Sequence, residues 1–386
     1  MVGAGPAGAE LARLLAQAAV SVTLVDRLPD LRRGAFSSAA LPLAALAELG
    51  LPAELVASRW SQWQLLGPQG QWRQWRATTP LGAVLDFGEL RQWLAQQAQA
   101  WGAQLLLGWS VQSTAERGGV LCTSLRGPAG ARLELESDWV IDASGAARVL
   151  VGPLQAQAEP LVTGVGLEWL LAVDQPRWQS WRDRLSFVLG SRWVPQGYGW
   201  VFPMAPGQLK LGVCRLLDAG RPQPSLHQLQ QGLLQLTGLR GAQVLDRHGG
   251  LIRSTIQRRE SHGQGRLLGL GDAVSTANLL GGEGIRHAMA SARVLAPLLL
   301  KSLGSDQSPL PAYRRGLREK LGWRWPISGR LARRTWLGLH SPKADQRLEL
   351  LLSGLERCRA EELSALLFNY QFERYGPRLC SYLLGR

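Results

Sequence analysis

The chain has 386 residues, is 46% hydrophobic and carries a formal net charge of +14. That length suits two intermingled domains with buried cores, and no run of 18 uncharged apolar residues is present to span a bilayer. The cysteines (Cys122, Cys214, Cys358, Cys380) include no C-x-x-C, against a disulfide framework, a zinc site or a dithiol centre, so a reducing, cytoplasmic setting is expected. The basic excess calls for an anionic partner, but no RNP sequence, zinc finger or basic zipper is present and no nucleic acid is expected.

The chain opens MVGAGPAGAELARLLAQAAVSVTLVDR. Gly3, Gly5 and Gly8, with Pro6 and Ala7 between them, form G-x-G-x-x-G. A helix is expected over 9–18 and a β-branched strand over 20–25, closed by Asp26 and Arg27. This is the setting a dinucleotide fingerprint requires: a tight turn at Gly3, close pyrophosphate approach at Gly5 and helix–sheet packing at Gly8. The helix N-terminus offers free N–H groups to phosphate, and Asp26 a ribose acceptor. Only Met1 and Val2 precede the motif, where a strand of about five residues belongs; a native start further upstream is expected.

The Trp-Gln run over 60–75 reads as a hairpin, its tryptophans Trp60, Trp63, Trp72 and Trp75 being sheet packing. DWVIDASGAARVL (138–150) is a short strand running into Asp142, Ser144 and Gly145, a turn at the carboxyl edge of a sheet. In GYGWVFP (197–203), spacing of two puts Tyr198, Trp200 and Phe202 on one face as a flat apolar wall, and Pro203 ends the strand. RLLGLGDA (266–273) is a strand leading to Gly271-Asp272, whose carboxylate suits a ribityl hydroxyl. Gly281, Gly282 and Gly284 then open a helix at Ile285, running to 300. Those glycines keep side chains away from an isoalloxazine, and the helix dipole favours the reduced anionic ring. No histidine has metal-ligand spacing, so no metal is expected; His287 is expected on the helix surface, with an inward position the alternative. The tail (310–386) reads helical, and within 313–340 arginine mixes with Trp323, Trp325 and Trp336. That mixture suits a peripheral membrane contact, or a basic helix whose tryptophans pack on the body.

This order of motifs resembles the FAD-dependent oxidoreductases of the hydroxylase-like class. GGEGIRHAMASARVLA and GYGWVFPMAPGQLKLGV are most similar to the geranylgeranyl reductase family, whose Y-x-W-x-F-P motif is matched by Tyr198, Trp200, Phe202 and Pro203. The resemblance covers roughly 1–310. It implies an α/β fold: a Rossmann-like FAD-binding domain (1–60, 88–155, 250–305), an inserted mixed β-sheet substrate domain (61–87, 156–249) and a helical basic C-terminal region (306–386). It further implies reduction of carbon–carbon double bonds in a hydrophobic isoprenoid, with the Y-x-W-x-F-P residues lining the substrate cavity. No second G-x-G-x-x-G is present, so NAD(P)H is expected as a transient donor. An FAD monooxygenase and a lycopene-cyclase-like enzyme using reduced FAD without net redox stay open, as does a flavoprotein remnant. Two departures bear on the reaction: the loop over 32–42 carries Ser37 and Ser38 where family members have Cys-Gly, and Asp86, Phe87 and Arg91 precede or open the helix over 88–100 in an unusual arrangement.

Overall fold

The computed structural model describes residues 1–34, 36–155, 159–305 and 307–375, and in it the fingerprint sits at the hub of a parallel layer. Val2 bridges Asp142 on one side and Val25 on the other, both in parallel sense. Its N–H donates to the Ile141 carbonyl at 2.9 Å, and its own carbonyl accepts from Ala143 at 2.8 Å. Val2 thereby joins the strand Thr23–Asp26, parallel to Gln104–Leu107, to Val140–Asp142, parallel to Leu267–Gly269.

Three helices pack here: Pro6–Gln17, Phe87–Ala100 and Ile285–Ser302. The first buries Leu11, Ala12, Leu15 and Ala16, apolar at helical spacing. Glu10 is buried on the same helix and satisfied by Arg13 at 2.9 Å and by Arg293 of helix Ile285–Ser302 at 2.8 Å, a charge-assisted tie between two of these helices.

The nine-stranded sheet runs Gln243–Ser254, Val162–Ala172, Gln208–Leu216, Gly197–Pro203, Asp183–Leu189, Val56–Leu66, Gly82–Leu85, Ala40–Pro42, with Trp72–Arg76 added beside Val56–Leu66. Its pairings are antiparallel except Asp183–Leu189 with Val56–Leu66. The Trp-Gln run is the expected hairpin, with Trp63 opposite Trp75 and Leu66 opposite Trp72. Trp60, Trp63 and Trp75 are buried because the tail covers them: the Trp63 indole donates to Ser364 at 2.8 Å and that of Trp75 to the Leu355 carbonyl at 3.0 Å. Strands Val56–Leu66 and Gln243–Ser254 each straddle a position where a segment boundary is expected, since a strand continues as long as its partner does.

A smaller antiparallel meander is formed by Ser110–Arg117, Val120–Arg126 and Arg132–Ser137. The tail is helical over Leu310–Leu321, Trp325–Ala332, Pro342–Leu355 and Ala360–Asn369. The expected helical continuation over 376–386, Cys380 included, lies outside the described residues.

Candidate functional site

The two glycine-rich motifs meet. Gly3 has φ +104°, and a Cβ there would lie 2.5 Å from the Ala143 carbonyl oxygen; one on Gly8 would lie 2.0 Å from the Gly3 oxygen. The fold itself demands both glycines. A Cβ on Gly5 would meet nothing within 4 Å, so that position faces open space. Gly271, with φ +63°, brings the second motif against the first: its Cβ would stand 2.7 Å from that of Ala7. A Cβ on Gly284 would lie 3.6 Å from the Asp272 carboxylate. The helices starting at Pro6 and at Ile285 are N-capped by Gly5 and Gly284, with no capping side chain and no acid in the first turn. Two helix starts without side-chain caps, each a positive dipole end, thus belong to motifs that touch through Gly271 and Ala7.

The predicted residues around these motifs divide by what their side chains already hold. Asp26 is buried and accepts the N–H groups of Ala4 (2.7 Å) and Leu28 (2.9 Å), with the Arg91 guanidinium at 3.6 Å, so it braces the fingerprint turn as well as ending the strand. Arg91 also donates to the Leu31 carbonyl at 3.1 Å, while Arg27 is exposed. Asp142 is fully buried, and both of its oxygens are filled: Ser144 donates its N–H (3.0 Å) and hydroxyl (2.6 Å) to one, Leu150 (2.7 Å) and Val151 (2.9 Å) their N–H groups to the other. It shapes the turn and offers no spare acceptor. Asp272 takes the Thr276 hydroxyl at 2.9 Å, and burial pushes its carboxyl up from the ordinary value.

Beside the second glycine run lies an apolar cavity of ≈ 650 Å³. Tyr198, Trp200 and Phe202 all face it, as do Gly281, Gly282, Gly284 and Ile285. Pro203 does not line it: one residue on from Phe202 the pleat reverses, and the Pro203 carbonyl instead accepts from Ser58 at 2.8 Å. A Cβ on Gly282 would stand 2.8 Å from the Tyr198 hydroxyl, so the aromatic wall meets the glycine run there. Tyr198 is directly opposite Cys214 in the antiparallel register, and both line the cavity. Burial pushes the tyrosine hydroxyl well up and the Cys214 thiol up to about 12, so both stay neutral.

Two buried networks behind the cavity escape sequence reasoning. Glu168, fully buried, accepts from the Trp200 indole at 2.7 Å and faces His248 Nε2 at 2.9 Å and Lys210 Nζ at 3.9 Å. Burial raises its carboxyl, but Lys210, His248 and Trp200 prevail and hold it below its ordinary value. Lys210 in turn donates to the Ser37 carbonyl at 2.9 Å, fixing the loop whose Phe36, Ser37 and Ser38 line the cavity. The available signal is one acid inside the apolar strand VTGVGLEWLLA. The second network corrects His287, which is buried rather than on the surface. Its Nε2 lies 3.2 Å from Glu283 and 2.9 Å from the Tyr370 hydroxyl, because the tail folds over the helix. Burial opposes charge on Glu283, yet His287 and Arg286 hold its carboxyl at about 2. Trp325 packs edge-on against His287 and Trp336 lines the cavity, so these two belong to the body; Trp323 remains 64% exposed.

Residues 1–320 match the FAD binding domain family. The chain belongs to it. Open space at Gly5, a pressed second motif and two uncapped helix starts fit FAD: the fingerprint turn would hold its phosphates and Gly281–Gly284 would border its ring. The chain is 26% identical to a digeranylgeranylglycerophospholipid reductase of Haloferax volcanii, over 95% of this chain and 90% of that protein. It is 25% identical to a geranylgeranyl diphosphate reductase of Rhodobacter capsulatus, over 80% of this chain and 76% of that one. Its fold matches the crystal structure of a geranylgeranyl bacteriochlorophyll reductase-like protein from Thermoplasma acidophilum with a TM-score of 0.80 at 18% identity, covering 100% of this chain and 97% of that one. The protein is a geranylgeranyl-reductase-like, FAD-dependent oxidoreductase.

Proposed function

We propose that this enzyme reduces isolated carbon–carbon double bonds of an isoprenoid lying in the aromatic cavity. The observation that carries the reading is the junction of that cavity with the glycine run: an apolar channel whose polar Tyr198 hydroxyl stands at Gly282. The reductases named above, which act on geranylgeranyl and digeranylgeranyl compounds, support it. Bound FAD, once reduced, supplies a hydride equivalent. Every other part belongs to the chain. Trp200, Phe202 and Phe187 hold the apolar isoprenoid chain and keep water out. Tyr198 delivers the proton from its phenolic oxygen to the second alkene carbon, so the bond gains two hydrogens, and the phenolate recovers its proton from water as product leaves. Burial keeps the hydroxyl neutral and makes it a weak acid, so its proton leaves only in step with hydride arrival at the other alkene carbon.

In this reading the parallel layer holds the cofactor, the nine-stranded sheet holds the substrate, and the tail closes the cavity through Trp336, Leu351 and Phe368. A nicotinamide donor recharges the flavin by transient contact, in keeping with the single G-x-G-x-x-G. No helix among the described residues is long and apolar enough to cross a membrane, and the exposed Trp323, with Arg324 5.2 Å over its ring, is the point of the 313–340 region offered to a lipid surface.

The test is anaerobic. The bound flavin is reduced chemically, a geranylgeranyl substrate is added without oxygen, and the visible flavin band is followed. Return of the oxidised band only with substrate, with a product heavier by two hydrogens per bond, is expected. Return only on admitting oxygen would refute the reading in favour of a monooxygenase.

A further inference from the structure

The helix Trp325–Ala332 has two kinds of neighbour. Its Leu331 lines the apolar cavity, whereas its Pro326 and Arg330 line a separate basic hollow. Arg258 and Arg259, from the turn after strand Gln243–Ser254, and Arg314 and Arg318, one turn apart on helix Leu310–Leu321, complete that hollow. The hollow shares no lining residue with the cavity.

Five guanidinium groups converge here, and none forms a salt bridge within 4.0 Å among the described residues. Two acids, Glu159 and Glu260, lie near enough to act on Arg258 electrostatically, though neither bridges it. Glu159 accepts the backbone N–H groups of Ile256 and Gln257 at 2.8 Å and of Arg259 at 3.2 Å; Glu260, buried, accepts the Thr255 hydroxyl at 2.5 Å. Arg258 is buried, with φ +56°, a left-handed conformation that a non-glycine residue holds only when its surroundings impose it. Its guanidinium is pinned by the Ser275 carbonyl and lies 6.0 Å over the Trp325 ring. The field of the cluster is felt next door: burial, then Arg258, Arg314 and Arg318, drive the His262 imidazole down to about 2. Like charges one turn apart on a helix repel by roughly a few tenths of a kcal/mol, and an anion between Arg314 and Arg318 would relieve that repulsion. Guanidinium forks match phosphate oxygens in pairs, and a multiply charged group suits five of them better than a carboxylate does.

We propose that this hollow binds the phosphate or diphosphate group of an amphiphile whose isoprenoid tail enters the cavity on the other side of Trp325–Ala332. The assignment of the tail rests on the reductase reading; the anion site itself does not.

Binding is measured on the flavin-loaded protein by calorimetry with inorganic diphosphate, and by co-sedimentation with phosphatidylglycerol or phosphatidylcholine vesicles. Saturable one-site diphosphate binding is expected, weakened at least about tenfold in Arg314→Gln/Arg318→Gln and unchanged in Arg126→Gln, a control on the three-stranded meander. Diphosphate binding without co-sedimentation assigns the site to a soluble phosphorylated substrate. Co-sedimentation with phosphatidylglycerol alone, lost in the double variant, assigns it to a lipid headgroup. Absence of saturable diphosphate binding, sulfate binding of equal strength, or a double variant that binds like the unaltered protein would each overturn the proposal. Folding of the variant is read from its retained flavin absorbance. If diphosphate binds while prenyl substrates fail to reoxidise the flavin, the anion site stands and the reductase reading falls.

Discussion

Gly5 and Gly8 differ in what a single methyl group meets, and that difference separates a cofactor contact from a fold requirement. At Gly5, φ is −75° and ψ is 178°, open to any residue, and a Cβ meets nothing within 4 Å. Gly5→Ala gains roughly 0.4–1 kcal/mol by restricting the unfolded chain, and loses a similar amount because alanine is a poorer N-cap than glycine. The stability of the cofactor-free protein is therefore expected to change by less than about 0.5 kcal/mol. At Gly8 the methyl would stand 2.0 Å from the Gly3 oxygen, a backbone atom that yields only by moving the turn. Overpacking of that severity costs about 3 kcal/mol, against a helix-propensity gain near 1 kcal/mol, for a net loss of about 2 kcal/mol. For FAD the order reverses in cause. The Gly5→Ala methyl enters the space reserved for a phosphate and removes one charge-assisted hydrogen bond, worth roughly 1.5–3 kcal/mol, which weakens retention by about tenfold to a hundredfold. Thermal unfolding of both cofactor-free variants and flavin titration of each provide the readouts. FAD binding by Gly5→Ala equal to that of the unaltered protein would remove the phosphate from this turn. A Gly5→Ala protein as destabilised as Gly8→Ala would contradict the packing described.

Tyr198→Phe keeps the aromatic wall and removes the proton donor; kcat for alkene reduction is expected to fall by about 10² or more with KM little changed, and an unaltered kcat would place the proton source elsewhere. Glu168→Ala leaves Lys210 and His248 without their buried counter-charge and is expected to destabilise the protein by about 3 kcal/mol or more, measured by denaturant unfolding, with loss of substrate affinity through Trp200. Burial lowers the His248 pKa, but its bonds to Glu168 and Asp246 prevail and raise it above the ordinary 6.5. Its stabilising contribution is thus complete below about pH 6.5 and disappears as pH rises through the raised folded value. His248→Gln should remove that slope from a stability–pH profile, and a slope that survives in the variant would assign it to another group.

Chemistry that depends on a few consecutive residues was legible without coordinates. The fingerprint over 3–8, the Gly271-Asp272 turn, the helix opening at Ile285 and the shared face of Tyr198, Trp200 and Phe202 follow from turn geometry, caps and a period of two, all set within one or two turns of chain. The Trp-Gln hairpin is of the same kind. Register, pleat and tail placement are properties of contacts between distant segments, and they decided the rest. They aim Pro203 away from the cavity, set the Cys214 thiol against the Tyr198 hydroxyl, sink His287 beneath Tyr370 and hang the 36–38 loop from Lys210. Asp142 shows the division within one residue: sequence places it at the edge of a sheet, but only the folded turn shows that four donors already fill its oxygens. The sequence by itself determined which cofactor the chain is built for, because the backbone that would meet phosphate and flavin is shaped by local glycines. What surrounds that cofactor was decided by tertiary structure, because a side chain's partner across a sheet or under a helix is fixed by packing and not by its neighbours in the chain.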